Sequence, residues 1–140
     1  LGDGPARESM EAHILTEGLS SHIRLLGRVA HEKIPDWLGA ADVLCLPSHH
    51  EGVPNVVLEA SACGTPCVVT AVGGLPEVVQ AANGRLVSAG DIGALRNTLR
   101  EVLQTDWDRE AVHAALRIET WEENACRIGK LLEGAAPDAR

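Results

Sequence analysis

The chain has 140 residues with 12 Lys or Arg against 20 Asp or Glu, a formal net charge of −8, so it reads as one acidic domain long enough to bury a core. An acidic balance without a basic stripe argues against a nucleic-acid backbone as partner, but leaves open a phosphorylated small molecule held by backbone amides. Aromatics make up 2%, with no Phe or Tyr, so aliphatic side chains must fill the core, and Trp37, Trp107 and Trp121 alone could stack on a base or sugar.

Cys45, Cys63 and Cys67 fall in apolar or small-residue runs, and together with Cys126 they form no C-x-x-C pair. Buried, reduced thiols in a cytosolic protein are the expectation, ahead of a metal or disulfide role. No apolar run approaches the ~20 residues of a membrane span, and the opening does not read as a signal peptide. The expected location is cytoplasmic, with peripheral attachment at the inner face of a membrane left open.

In chain order, Leu1 looks like the end of a strand and Gly2-Asp3-Gly4-Pro5 like the turn after it. With no initiator Met, the chain is expected to lack an upstream strand–helix unit. A helix follows from Pro5, with Glu8 and Glu11 near its start, Met10, Ala12, His13 and Ile14 on its inner face, and Gly18 at its end. Residues 23–27 read as a short strand, and 34–41 as a short helix with Trp37 and Leu38 facing inward.

Residues 43–47 form an apolar run of strand length between turn residues. Residues 54–63 read as a helix ended by Gly64, and 66–71 as the next buried strand, before the Gly73-Gly74 turn. A short helix over 75–82 and a last strand over 85–87 follow. Asp91 then caps a longer helix in which Ile92, Leu95, Leu99, Val102 and Leu103 recur at helical spacing. Two amphipathic segments, 108–118 and 121–132, close the chain before a frayed tail.

Strands that are continuous apolar runs, alternating with helices, predict a doubly wound, Rossmann-like α/β fold: a parallel sheet covered on both faces, with C-terminal helices. The expected organisation is one domain over 1–134 and a tail over 135–140.

In such a sheet ligands bind beyond the carboxyl ends of the strands. The segments 2–4, 28–32, 49–53 and 72–75 should therefore share one rim. Pro54 marks a helix start, where the first amides lack internal partners and carry the positive end of the dipole. Pro54 has no N–H, so Asn55, Val56 and Val57 are the expected donors, with Gly52 allowing close approach; this is a plausible cradle for phosphate. Two acids flank it, Glu51 and Glu59, in an E-x7-E spacing. Beside a bare phosphate they would repel by a few kcal/mol, on the order expected in a partly desolvated pocket. They make sense as acceptors for diols on either side of a diphosphate, since Glu59 lies ~7 Å along the helix axis from its start. The alternative is that Glu59 is a solvated helix residue and Glu51 an acid complementing the dipole. Glu77 needs no ligand to explain it. His49-His50-Glu51 lacks the i, i+4 spacing of a helical metal site, Ser48 reads as the end of a strand, and G-D-G-P is not a dinucleotide fingerprint.

The run Asp42-Val43, Pro47-Ser48, Glu51-Gly52, Pro54, Leu58-Glu59-Ala60, Ala62-Cys63-Gly64 and Pro66, followed by Gly73, Gly74 and Glu77, resembles the donor-binding half of family 4 glycosyltransferases, which have the GT-B fold. Cys67-Val68 stands where that family has V-V. G-D-G-P, the L-x-G of Leu25 to Gly27 and the I-P-x-W-L of Ile34 to Leu38 extend the resemblance over nearly the whole chain. It implies retaining transfer of a hexose-type sugar from a nucleotide diphosphate sugar to an unknown acceptor, with no required metal or other cofactor. It further implies that Glu51 meets donor sugar hydroxyls and Glu59 ribose hydroxyls. The backbone of Gly52, Val53, Pro54, Asn55, Val56 and Val57 would face sugar and phosphates, Arg28 and Val29 the base, and Gly73 and Gly74 the sugar and pyrophosphate.

The family's diphosphate-neutralising Arg and Lys lie upstream of this region, as does its acceptor-binding domain. Alone, the chain is expected to bind donor weakly and transfer nothing. The helix from Trp121 resembles the one that crosses back towards that domain. A binding module working with a separate acceptor-domain chain is the alternative, and the E-x7-E context disfavours a GT-B epimerase.

Overall fold

The computed structural model describes residues 2–116 and 121–135. Three parallel strands, β1 (Leu44–Leu46), β2 (Cys67–Thr70) and β3 (Gly84–Val87), lie in the order β1-β2-β3. Leu44 pairs with Cys67, and Cys67 with Gly84, so the strand ends are nearly level and their carboxyl ends form one edge.

The alternation along β2 divides the core between the faces of the sheet. Cys67 and Val69 pack with Val57 of α3 (Asn55–Ala62) and with Leu75 and Val79 in and after α4 (Leu75–Val78). Val68 points the other way, to Val87 and to Val102 of α5 (Ile92–Gln104), with Leu95, Leu99 and Trp107 around them. Both faces are therefore covered, as a parallel sheet requires. Each fully buried Val removes enough apolar surface to contribute ~1.5–3 kcal/mol.

Helix ends follow local chemistry. Asp91 accepts the Ala94 N–H at 2.8 Å and starts α5, and Asp108 accepts those of Glu110 and Ala111 to start α6 (Arg109–Ala114). Gly64, at φ +70°, ends α3 in a left-handed turn, and a Cβ there would press on the Arg109 backbone. Arg109 donates to the carbonyls of Gly39 and Ala41, which ties α6 to the end of α2 (Ile34–Ala40). α7 spans Trp121–Ala135. No helix among the described residues is long and apolar enough to cross a membrane.

Several expectations are corrected. Residues 23–27 form no strand: the Gly2 N–H to Gly27 O bond, at 2.7 Å, is a single link rather than a ladder. α1 (Arg7–Thr16) buries no residue, and Met10 is 50% exposed, so its expected inner face has no core beneath it. On α2, Leu38 is buried, but Trp37 is 45% exposed. α4 stops at Val78, not 82, because the buried Asn83 side chain accepts from the Gln80 N–H and donates to the Val78 carbonyl, replacing the helical ladder. α6 ends at Ala114, and residues 117–118 of the expected helix lie outside the described residues, as does Leu1. Of the four free thiols only Cys67 is buried; Cys45 and Cys126 are exposed.

Candidate functional site at the carboxyl edge of the sheet

The segment from β1 to α3 leaves the sheet at Pro47, turns through Ser48 to Val53, and enters α3 at Pro54. Pro54 takes the N-cap with φ −68° and ψ 129°, an extended conformation that a ring-locked φ permits, and makes no side-chain cap. The Val57 N–H donates to the Pro54 carbonyl at 3.1 Å, and the Val57 side chain is buried in the core. That corrects one expected donor: the amides left open at this end are those of Asn55 and Val56, and Val57 packs the helix onto the sheet.

The turn is held from two sides. On one, Gly73 and Gly74 come up against it from the end of β2. The Gly74 N–H donates to the Gly52 carbonyl at 2.9 Å. Gly73 has φ +54°, and a Cβ there would overlap the Glu51 carbonyl oxygen; one on Gly74 would meet Val53 Cγ2 at 2.5 Å. Only glycine allows both the conformation and the approach. On the other side, the Thr70 hydroxyl donates to the Ser48 carbonyl at 2.5 Å, and the Ser48 hydroxyl donates to Glu51 Oε1 at 2.7 Å.

The structure thus joins Glu51, Gly52 and Val53 to Gly73 and Gly74, which are 20 or more residues away in sequence. Glu51 is half-buried with one oxygen engaged. Glu59 sits half-buried on α3, and its carboxylate has no hydrogen bond or ion pair among the described residues, so it is available to accept from a ligand. No buried side-chain oxygen or nitrogen among the described residues lacks a partner. Arg28 is exposed and Val29 half-buried on the extended stretch after Gly27, and no hydrogen bond or ion pair ties either to the 51–57 turn. Glu77 and His49 and His50 are exposed, and no three His, Cys, Asp or Glu side chains among the described residues group as metal ligands.

Sequence reasoning missed Ser48 and Thr70. The S-x-x-E spacing of Ser48 and Glu51 is visible in the sequence, but only the turn brings the hydroxyl to the carboxylate. Thr70 had no such signal, because its partner lies 22 residues away.

Along the chain, the acids Glu51 and Glu59 bracket the two open helix amides of Asn55 and Val56. Comparisons with known proteins show which family the chain belongs to. The sequence model of the family described as "Glycosyl transferases group 1" matches residues 1–105. The chain is 37% identical over 118 residues to the 2-deoxystreptamine N-acetyl-D-glucosaminyltransferase of Streptomyces fradiae, covering 83% of this chain and 28% of that protein. It is 36% identical over 132 residues to the D-inositol 3-phosphate glycosyltransferase of Xylanimonas cellulosilytica, covering 91% of this chain and 32% of that one. Among solved structures, sucrose-phosphate synthase from Thermosynechococcus elongatus matches with a TM-score of 0.71 at 30% identity, over 95% of this chain and 36% of that one. Anabaena HepE in complex with UDP matches with a TM-score of 0.72 at 24% identity, over 91% and 36%, a likeness of fold alone. The chain spans 28–36% of the length of these four proteins.

Proposed function

Because the chain belongs to the group 1 glycosyl transferases, we propose that it is the donor-binding part of a retaining, family 4 enzyme of GT-B fold that transfers a hexose-type sugar from a nucleotide diphosphate sugar. One observation carries this reading: the glycine-braced turn that presents Glu51 leads directly into the helix that carries Glu59, with the open amides of Asn55 and Val56 between them.

In this reading the diphosphate lies at the amino end of α3, where unpaired N–H groups and the helix dipole favour negative charge. Glu59 accepts from the ribose diol, and Glu51 from hydroxyls of the donor sugar. Gly73 and Gly74 serve mainly by letting the turn close. Arg28 and Val29 are assigned to the base. Two open amides supply modest positive potential against a diphosphate, so further cations are required, and an acceptor-binding domain supplies the other wall of the cleft. Transfer thus belongs to the full-length enzyme rather than to these 140 residues alone.

The reading is tested by incubating the full-length enzyme with UDP-glucose, UDP-N-acetylglucosamine and GDP-mannose and a panel of polyol acceptors, and following the anomeric proton by NMR. It predicts a product with the anomeric configuration of the donor. An inverted product would remove the retaining assignment, and no turnover of any nucleotide sugar would remove the donor assignment.

A further inference from the structure

We infer that Ser48 is a positioning residue for Glu51, held in place by Thr70, so that the sheet itself sets where the acid meets the donor sugar; the inference rests on the donor-site reading above. Three observations combine. Thr70 is the last residue of β2 and is 2% exposed, so its hydroxyl is fixed by the sheet register. That hydroxyl donates to the Ser48 carbonyl at 2.5 Å, which pins the point where the chain leaves β1. The Ser48 hydroxyl then donates to Glu51 Oε1 at 2.7 Å, at a half-buried position where water competes poorly.

A glutamate has three side-chain torsions, and at the exit of a turn nothing else among the described residues hydrogen-bonds its carboxylate. The Ser48 bond removes most of that freedom. It also divides the work of the two oxygens: Oε1 is taken by Ser48, which leaves Oε2 as the freer acceptor for a sugar hydroxyl. A hydrogen bond to an ionised acceptor is among the stronger kind, and a site held by its supporting shell loses function when that shell is loosened. Ser48 touches Glu51 rather than the substrate, so its contribution should appear only in what Glu51 does.

The test uses the full-length enzyme and two sets of probes, the free nucleoside diphosphates UDP and GDP, and UDP-glucose, UDP-N-acetylglucosamine and GDP-mannose, with affinities measured by calorimetry. The quantity of interest is the ratio between sugar-nucleotide and nucleotide affinity for whichever donor the wild type turns over. Ser48→Ala should lower donor turnover about ten- to a hundredfold, the loss expected from a misplaced reacting group, and lower that affinity ratio, while nucleoside diphosphate affinity changes less than about twofold. Ser48→Thr, which keeps the hydroxyl, should recover most of the loss. In a Glu51→Ala background, Ser48→Ala should lower the ratio no further, because the acid it positions is gone.

An unchanged ratio and turnover in Ser48→Ala would overturn the inference, as would an equal further loss in the Glu51→Ala background. If Ser48→Ala does not fold, Ser48→Cys keeps the volume with a weak donor and should show the same loss; wild-type behaviour in Ser48→Cys would overturn the inference. A wild type that turns over no nucleotide sugar defeats the donor-site reading itself. An active wild type with an indifferent Ser48 defeats only the positioning role.

Discussion

Gly73 shapes the turn that presents Glu51. Its φ of +54° and the Glu51 carbonyl against its Cα leave no room for a side chain. Gly73→Ala should cost about 1–3 kcal/mol from the conformation alone, more from the displaced turn, and should impair sugar transfer beyond what the stability loss explains. Comparing the melting temperature with turnover at a temperature where the variant is folded checks this; unchanged turnover would mean that the turn tolerates movement. Cys67 is buried, and its thiol donates to the Asn83 carbonyl at 3.5 Å. Its thiol is pushed up to about 12 because the charged form is desolvated. A folded pKa above the unfolded value means that this stability is fully present below the unfolded pKa, near 9, and is lost as pH rises towards 12. Denaturation followed from pH 8 to 11 should therefore show stability declining above pH 9, and Cys67→Ala should flatten the decline. An identical slope in that variant would assign the decline to other groups.

Among the elements, α4 depends on a side chain beyond its own end. Asn83 is buried, accepts from Gln80 and donates to Val78, and its amide lies 3.4 Å from the Ser61 hydroxyl on α3. Asn83→Ala should cost about 1–3 kcal/mol, because it removes a buried amide that satisfies part-buried backbone groups, and chemical denaturation would register it as a lower midpoint; a change under about 0.5 kcal/mol would show that water satisfies them. This element also marks where sequence reading stops. α5 was legible because its apolar residues recur on one face and Asp91 caps it, both local properties. The strands 44–46 and 67–70 were legible as short apolar runs between turns. The end of α4 was not, because the bond that replaces its ladder comes from a buried amide whose neighbours are set by tertiary packing. Residues 23–27 have strand-like composition, but pairing is a property of two segments, and only one bond to Gly2 forms. Trp37 and Leu38 look equivalent in sequence, yet Leu38 is buried and Trp37 is 45% exposed, a difference set by tertiary packing.

For the molecule as a whole, the sheet is a frame that brings the end of β1, the end of β2 and the start of α3 to one edge. The spacing of Glu51 and Glu59 is visible in the sequence, and the structure places the first in the turn and the second on α3. The brace was not, since Gly52–Gly74 and Ser48–Thr70 are contacts between residues 22 positions apart in sequence. With Glu59 as the proposed nucleotide contact and Glu51 as the proposed sugar contact, the two must fail differently. Isothermal titration of the full-length enzyme with the nucleoside diphosphate of its donor separates them most directly. Glu59→Ala should weaken binding by about 1–3 kcal/mol through loss of an acceptor for the ribose hydroxyls, whereas Glu51→Ala should leave it nearly unchanged and impair transfer instead. Binding of the diphosphate by Glu59→Ala as tightly as by wild type would contradict the account.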